Sequence, residues 1–225
     1  MAKLTQQEFE DQYGIELLPY STADVSLGEM MHYKGIFNRT LTFLNYSIAE
    51  KLGWDEAKIA AIETQLKAIP LTDGSFPDLI MNNSTIGSGD LKIPILGLDL
   101  SNHVDASKVA SFEFSKIKAK RLIGNVRSEL SQGLEALKSS ANKKVYNQEL
   151  KLNYVIEGLF YADSVTIKLT EKLDIDLSLS LTNTKTNASL ASASPSIKKN
   201  NDTTYTISNA GNCPFAVQLT KGKLF

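Results

Sequence analysis

Residues 172–182 read Lys-Leu-Asp-Ile-Asp-Leu-Ser-Leu-Ser-Leu-Thr, with apolar and polar positions alternating throughout. Leu173, Ile175, Leu177, Leu179 and Leu181 fall on one side; Asp174, Asp176, Ser178, Ser180 and Thr182 fall on the other. That period of two is the mark of a strand with one apolar and one wetted face. The length also matches the roughly 9–11 residues with which a tilted strand crosses a bilayer. Two readings stay open: the edge of a soluble antiparallel sheet over a core, or a strand that serves a soluble fold first and lines a membrane pore later.

The same scan predicts the other elements. A short strand runs from Tyr13 to Leu18 and stops at Pro19, and residues 33–46 form a strand with an irregular turn. Ile59, Ile62, Leu66 and Ile69 at helical spacing predict a helix over 55–68, ended by Pro70. Residues 70–90 read as a loop. Residues 91–100 alternate through Leu91, Ile93 and Ile95, with a slip at Leu96-Gly97. A long strand follows over 108–122, where the apolar phase moves from Phe112 and Phe114 to Ile117 and Ala119, predicting a bulge near Ser115. Val126, Leu130, Leu134 and Leu137 predict a helix over 125–140, which Gly133 weakens by about 1 kcal/mol relative to alanine. Leu150, Leu152, Tyr154 and Ile156 alternate over 149–161, and 162–171 connects onward with a shorter alternation at Val165, Ile167 and Leu169. Residues 183–202 are rich in Ser, Thr and Asn, suiting a polar edge hairpin or a loop, and strands over 203–208 and 215–219 close the chain. With no repeat and no clean linker, the expectation is a single α+β domain over 1–225 with a twisted, mostly antiparallel central sheet and a few helices.

Composition narrows the function. A net charge of −1 gives no whole-chain field for nucleic acid. The basic residues are clustered instead, most densely at Lys116, Lys118, Lys120 and Arg121. Such clusters are solvated faces by default, yet several on one face attract anionic lipid at about 1 kcal/mol per charge. The N-terminus lacks the apolar core of a signal peptide, and no run approaches the ~18 apolar residues of a spanning helix. The expectation is a protein made in the cytoplasm, whose membrane action would come from β-structure or a surface helix.

Chemistry is thin. His32 and His103 have no partner at metal-ligand spacing, so both read as surface residues and no metal or cofactor is expected. Cys213 precedes Pro214 with no histidine nearby to lower its pKa. Gly87-Ser88-Gly89 lacks the lysine and the helix of a phosphate loop. Asp174 and Asp176 share the polar strand face, where solvation explains them. The chain does not read as an enzyme, although loop-borne sites can lack motifs.

Several strings, in order, resemble the pore-forming N-terminal domain of gasdermins, above all the short bacterial ones. Tyr13-Gly14-Ile15-Glu16-Leu17-Leu18-Pro19 is similar to the family's first strand and its exit. Val109-Ala110-Ser111-Phe112-Glu113-Phe114 resembles an aromatic-acid-aromatic strand, and Tyr154-Val155-Ile156-Glu157-Gly158-Leu159 the start of a second membrane hairpin. Cys213-Pro214-Phe215-Ala216-Val217-Gln218-Leu219 resembles the closing strand.

The resemblance implies a soluble monomer that forms a homo-oligomer on an anionic membrane and inserts two β-hairpins into a large barrel, killing the cell in immune or antiviral defence. Only a closed barrel satisfies every strand's backbone in lipid. The implied lipid-facing residues are Leu91, Ile93 and Ile95 with Phe112 and Phe114 in the first hairpin. In the second they are Leu150, Leu152, Tyr154 and Ile156 with the five apolar residues of 172–182. In the soluble state these faces would cover the 125–140 helix and the sheet core. Lys116, Lys118, Lys120 and Arg121 would hold head groups. The chain departs from the family in lacking an N-terminal cysteine for lipidation and an evident C-terminal inhibitory segment. Either the sequence is a shortened or processed form, or it belongs to a branch without a tethered inhibitor, in which case a protease or a separate inhibitor protein is expected as its regulator. The competing expectation is a soluble α+β binding or scaffold module that ignores lipid.

Overall fold

Thr5-Gln6-Gln7-Glu8, ahead of Phe9 and with Gly14 six residues beyond Glu8, is a helix signature that strand periodicity hides. In the computed structural model of the chain, β1 (Lys3–Thr5) leads directly into α1 (Gln6–Tyr13). The Glu8 carboxylate accepts from the Thr5 N–H and hydroxyl at 2.8 Å each, while the Glu8 N–H donates to Thr5 Oγ1 at 3.4 Å. The Thr5 bonds hold the Glu8 carboxyl below its usual range. Gly14 closes the helix in the left-handed region at φ 61°, its N–H donating to the Glu10 carbonyl at 2.8 Å. The expected strand from Tyr13 is therefore shorter: Tyr13 ends the helix, and β2 spans Ile15–Leu17.

The structure describes residues 3–18, 25–34, 40–74, 76–82, 106–172, 196–208, 214–223 and 225. After β2 come β3 (Glu29–Lys34), β4 (Thr40–Ser47), α2 (Ile48–Lys51), α3 (Glu56–Ala68), β5 (Thr72–Asp73) and β6 (Asp78–Asn82). The segment expected as a loop thus carries two short strands among its described residues. Then follow β7 (Val109–Arg121), α4 (Gly124–Ser139), α5 (Lys143–Val145), a π-helical turn (Tyr146–Leu150) and β8 (Tyr154–Leu169). The chain closes with β9 (Ser196–Asn201), β10 (Thr204–Ser208) and β11 (Ala216–Lys221). Of the polar tract at 183–202, residues 196–201 form the outer strand of a β9–β10 hairpin.

Two compact units emerge. The first comprises Met1–Asp24, Thr72–Ala119 and Phe160–Ala216. Its strands run in the order β1-β6-β7-β8-β10-β9, with β5 also on β7. β1 lies parallel to β6, while β6–β7, β5–β7, β8–β10 and β9–β10 are antiparallel. One cluster forms its core: Phe112, Phe114, Ile117, Phe160, Val165, Ile167, Tyr205, Ile207 and Phe215 are all buried, and α1 contributes Phe9. Phe9 sits 4.8 Å from Tyr13 and 6.5 Å from Phe160 between ring centroids, distances at which tilted and edge-to-face aromatic pairs attract.

The second unit comprises Val25–Leu71, Lys120–Leu159 and Val217–Phe225. β3 pairs antiparallel with β4, and Met30 and Met31 face Val155 and Tyr154 at the start of β8. Asp55 caps α3, its carboxylate accepting from the Lys58 N–H at 2.8 Å. Ile62 and Leu66 of α3 and Leu130, Leu134 and Leu137 of α4 are buried, as their spacing predicts. Gly133 earns its place by contact. A Cβ there would stand 2.4 Å from the Trp54 ring and 2.8 Å from Leu52 Cδ1. His32, read from sequence as a surface residue, is half-buried on β3, its buried Nδ1 without a hydrogen-bond partner among the described residues.

Candidate functional site

β7 carries both chemistries of a candidate inserting strand. Val109, Phe112 and Phe114 are buried; the phase then shifts, and Ile117 and Ala119 are buried instead. Lys116 sits at the shift with φ 54°, a left-handed conformation that a lysine seldom adopts. The predicted irregularity is therefore real, one residue past Ser115, and it turns Lys116 outward while both apolar runs stay inside. Phe114 packs against Phe215 with ring centroids 4.7 Å apart and the rings tilted by 37°.

β8 is one continuous strand of 16 residues, not a strand and a separate connection. From Val155 to Ala162 almost every residue is buried, the pattern of a strand covered on both faces. From Val165 the burial alternates through Ile167 and Leu169. The expected alternation from Leu150 breaks down. Leu150 is buried but ends the π-helical turn, and Leu152 lies in the following turn, 64% exposed. Tyr154 opens the strand half-buried, and Ile156 is fully buried. Local spacing could not see that turn, because Leu150 and Leu152 keep the strand phase by coincidence. Val165, Ile167 and Leu169 continue the strand and belong among its apolar residues; their alternation was visible and only its continuity was missed.

The basic residues divide. Lys118 is engaged, its Nζ 2.9 Å from Asp163 and 3.5 Å from Asp73. Lys116 and Arg121 are exposed and Lys120 is half-buried. On the same strand Glu113 pairs with Lys168 at 3.8 Å. Leu91, Ile93, Ile95, the five apolar residues of 172–182, Gly87, His103 and Cys213 lie outside the described residues. Among the described residues no group of three or more His, Cys, Asp and Glu side chains could hold a metal. No described helix is long and apolar enough to cross a membrane, which says nothing of a β-barrel.

No family model and no curated protein matches the chain. Solved structures do. That of a bacterial gasdermin from Bradyrhizobium tropiciagri matches with a TM-score of 0.50 over 93% of this chain and 82% of that one, at 14% identity. The fold is gasdermin-like. At that identity the likeness concerns the fold alone, and it fits the α+β architecture with a mostly antiparallel sheet. Of the strings that resemble gasdermins, Val109–Phe114 lies on β7, Tyr154–Leu159 on β8 and Ala216–Leu219 on β11, while Tyr13–Leu17 is divided between the end of α1 and β2. In this gasdermin-like fold β7 and β8 are adjacent strands with buried apolar residues.

Proposed function

We propose that the protein is a non-enzymatic pore-forming effector. It waits as a soluble cytoplasmic form, gathers into a homo-oligomer on an anionic membrane and inserts β-hairpins that close a large barrel. Its output is lytic cell death in immune or antiviral defence, released by a protease or by loss of a separate inhibitor protein.

One observation carries this reading: a gasdermin-like fold holds two strands, of 13 and 16 residues, whose apolar side chains are stored in the core. At about 3.3 Å per residue the shorter spans roughly 43 Å, which at a tilt near 45° crosses the ~30 Å hydrocarbon layer. Apolar residues hidden in a soluble core can face lipid only if another surface replaces that core. In a barrel, lipid tails cover the apolar face and neighbouring strands satisfy the backbone.

Dye release tests it. Vesicles containing phosphatidylserine, loaded with a self-quenching dye, should leak on addition of protein, alone or after limited proteolysis, and large cargo should escape with the small. Protein that stays monomeric and leaves such vesicles sealed under both treatments is instead a soluble binding or scaffold module.

A further inference from the structure

Carboxylates stand on both sides of Lys118. Asp163 of β8 holds its Nζ at 2.9 Å, and Asp73 of β5 approaches to 3.5 Å from the position directly opposite in the strand register. Two acids thus face this one lysine. Two residues away Lys116 is exposed, and no ion pair among the described residues holds it.

The fold has little need of this arrangement. The side chains of Lys118, Asp163 and Asp73 are 29%, 36% and 86% exposed, and ion pairs so open to water contribute little to stability. Their effect is instead on what Lys118 can meet. A lysine near an anionic membrane raises affinity about five-fold, but only while its charge is uncompensated. Asp163 is the stronger of the two partners, being closer and less exposed; Asp73 is the weaker.

We propose that Asp163, assisted by Asp73, masks Lys118 from anionic phospholipid, so that the soluble protein approaches a membrane with this lysine neutralised and exposes it only when β7 and β8 part. The mask rests on the membrane reading above and adds a restraint to it.

Sedimentation with vesicles separates the two. Wild type, Asp163→Asn, Lys118→Gln and the double variant are titrated with vesicles of phosphatidylserine in phosphatidylcholine and of phosphatidylcholine alone. Asp163→Asn should bind the anionic vesicles about five-fold more tightly than wild type. The gain should shrink with added salt and vanish in the Lys118→Gln background. Asp73→Asn should give a smaller gain in the same direction. Equal binding of wild type and Asp163→Asn to anionic vesicles overturns the mask and leaves the membrane reading standing. A gain that survives Lys118→Gln also overturns it, since the effect is then one of net charge. Failure of all the proteins, folded by circular dichroism, to bind anionic vesicles both untreated and after limited proteolysis overturns the membrane reading and the mask together.

Discussion

Gly133 shows how a residue that weakens its own helix can stabilise a protein. Alanine in its place would favour α4 by about 1 kcal/mol through backbone entropy. The added Cβ, however, would meet the Trp54 ring at 2.4 Å and Leu52 Cδ1 at 2.8 Å. Leu52 is buried, and Trp54 is held from above by the Lys58 ammonium, 4.3 Å from its ring centroid. Overpacking at such a site costs about 1–3 kcal/mol. Steric cost should win: Gly133→Ala is expected to lower stability by about 1 kcal/mol in urea unfolding. Because Trp54 is the only tryptophan, its emission should shift in the folded variant. An unchanged emission spectrum with raised stability would mean that the helix term dominates.

At the scale of elements, legibility followed how far the deciding interaction lies along the chain. α3 and α4 were readable because a helix shows its buried face every three or four residues and its caps lie within a turn. β7 was readable, bulge included, because the change of phase at Lys116 is local. α1 was missed although Thr5, Glu8 and Gly14 announce it, since the strand pattern of Ile15–Leu17 drew attention downstream. β5 and β6 were missed for another reason: strands of 2 and 5 residues are specified by their partner β7, 29 or more residues away in sequence. The start of β8 was misjudged because Leu150 and Leu152 imitate its phase from outside it. That correction is measurable. Leu152→Ala should change stability by less than about 0.5 kcal/mol, whereas Ile156→Ala should cost about 2–5 kcal/mol. Equal losses at both positions would restore the longer strand.

At the scale of the molecule, the proposed pore requires the sheet of the first unit to come apart, and a covalent staple across it should stop the process after binding. Thr166 of β8 and Thr206 of β10 are register partners with hydroxyls 3.4 Å apart on the half-buried face. Directly opposed residues in an antiparallel pair have Cα atoms about 4.5–5.5 Å apart, within the range a disulfide accepts. A protein carrying Thr166→Cys, Thr206→Cys and Cys213→Ser should therefore close one bridge without disturbing the core at Val165 and Ile207. Oxidised, it should still sediment with phosphatidylserine vesicles, because the staple leaves the outer surface in place. It should release no dye, because β8 cannot exchange β10 for a neighbouring protomer or lipid. Reduction should restore leakage in the same sample, which rules out misfolding as the cause of the block. Leakage from the oxidised protein at the wild-type rate would mean that β8 and β10 stay paired in the pore. Insertion would then lengthen β8 beyond Leu169 rather than withdraw it from the core.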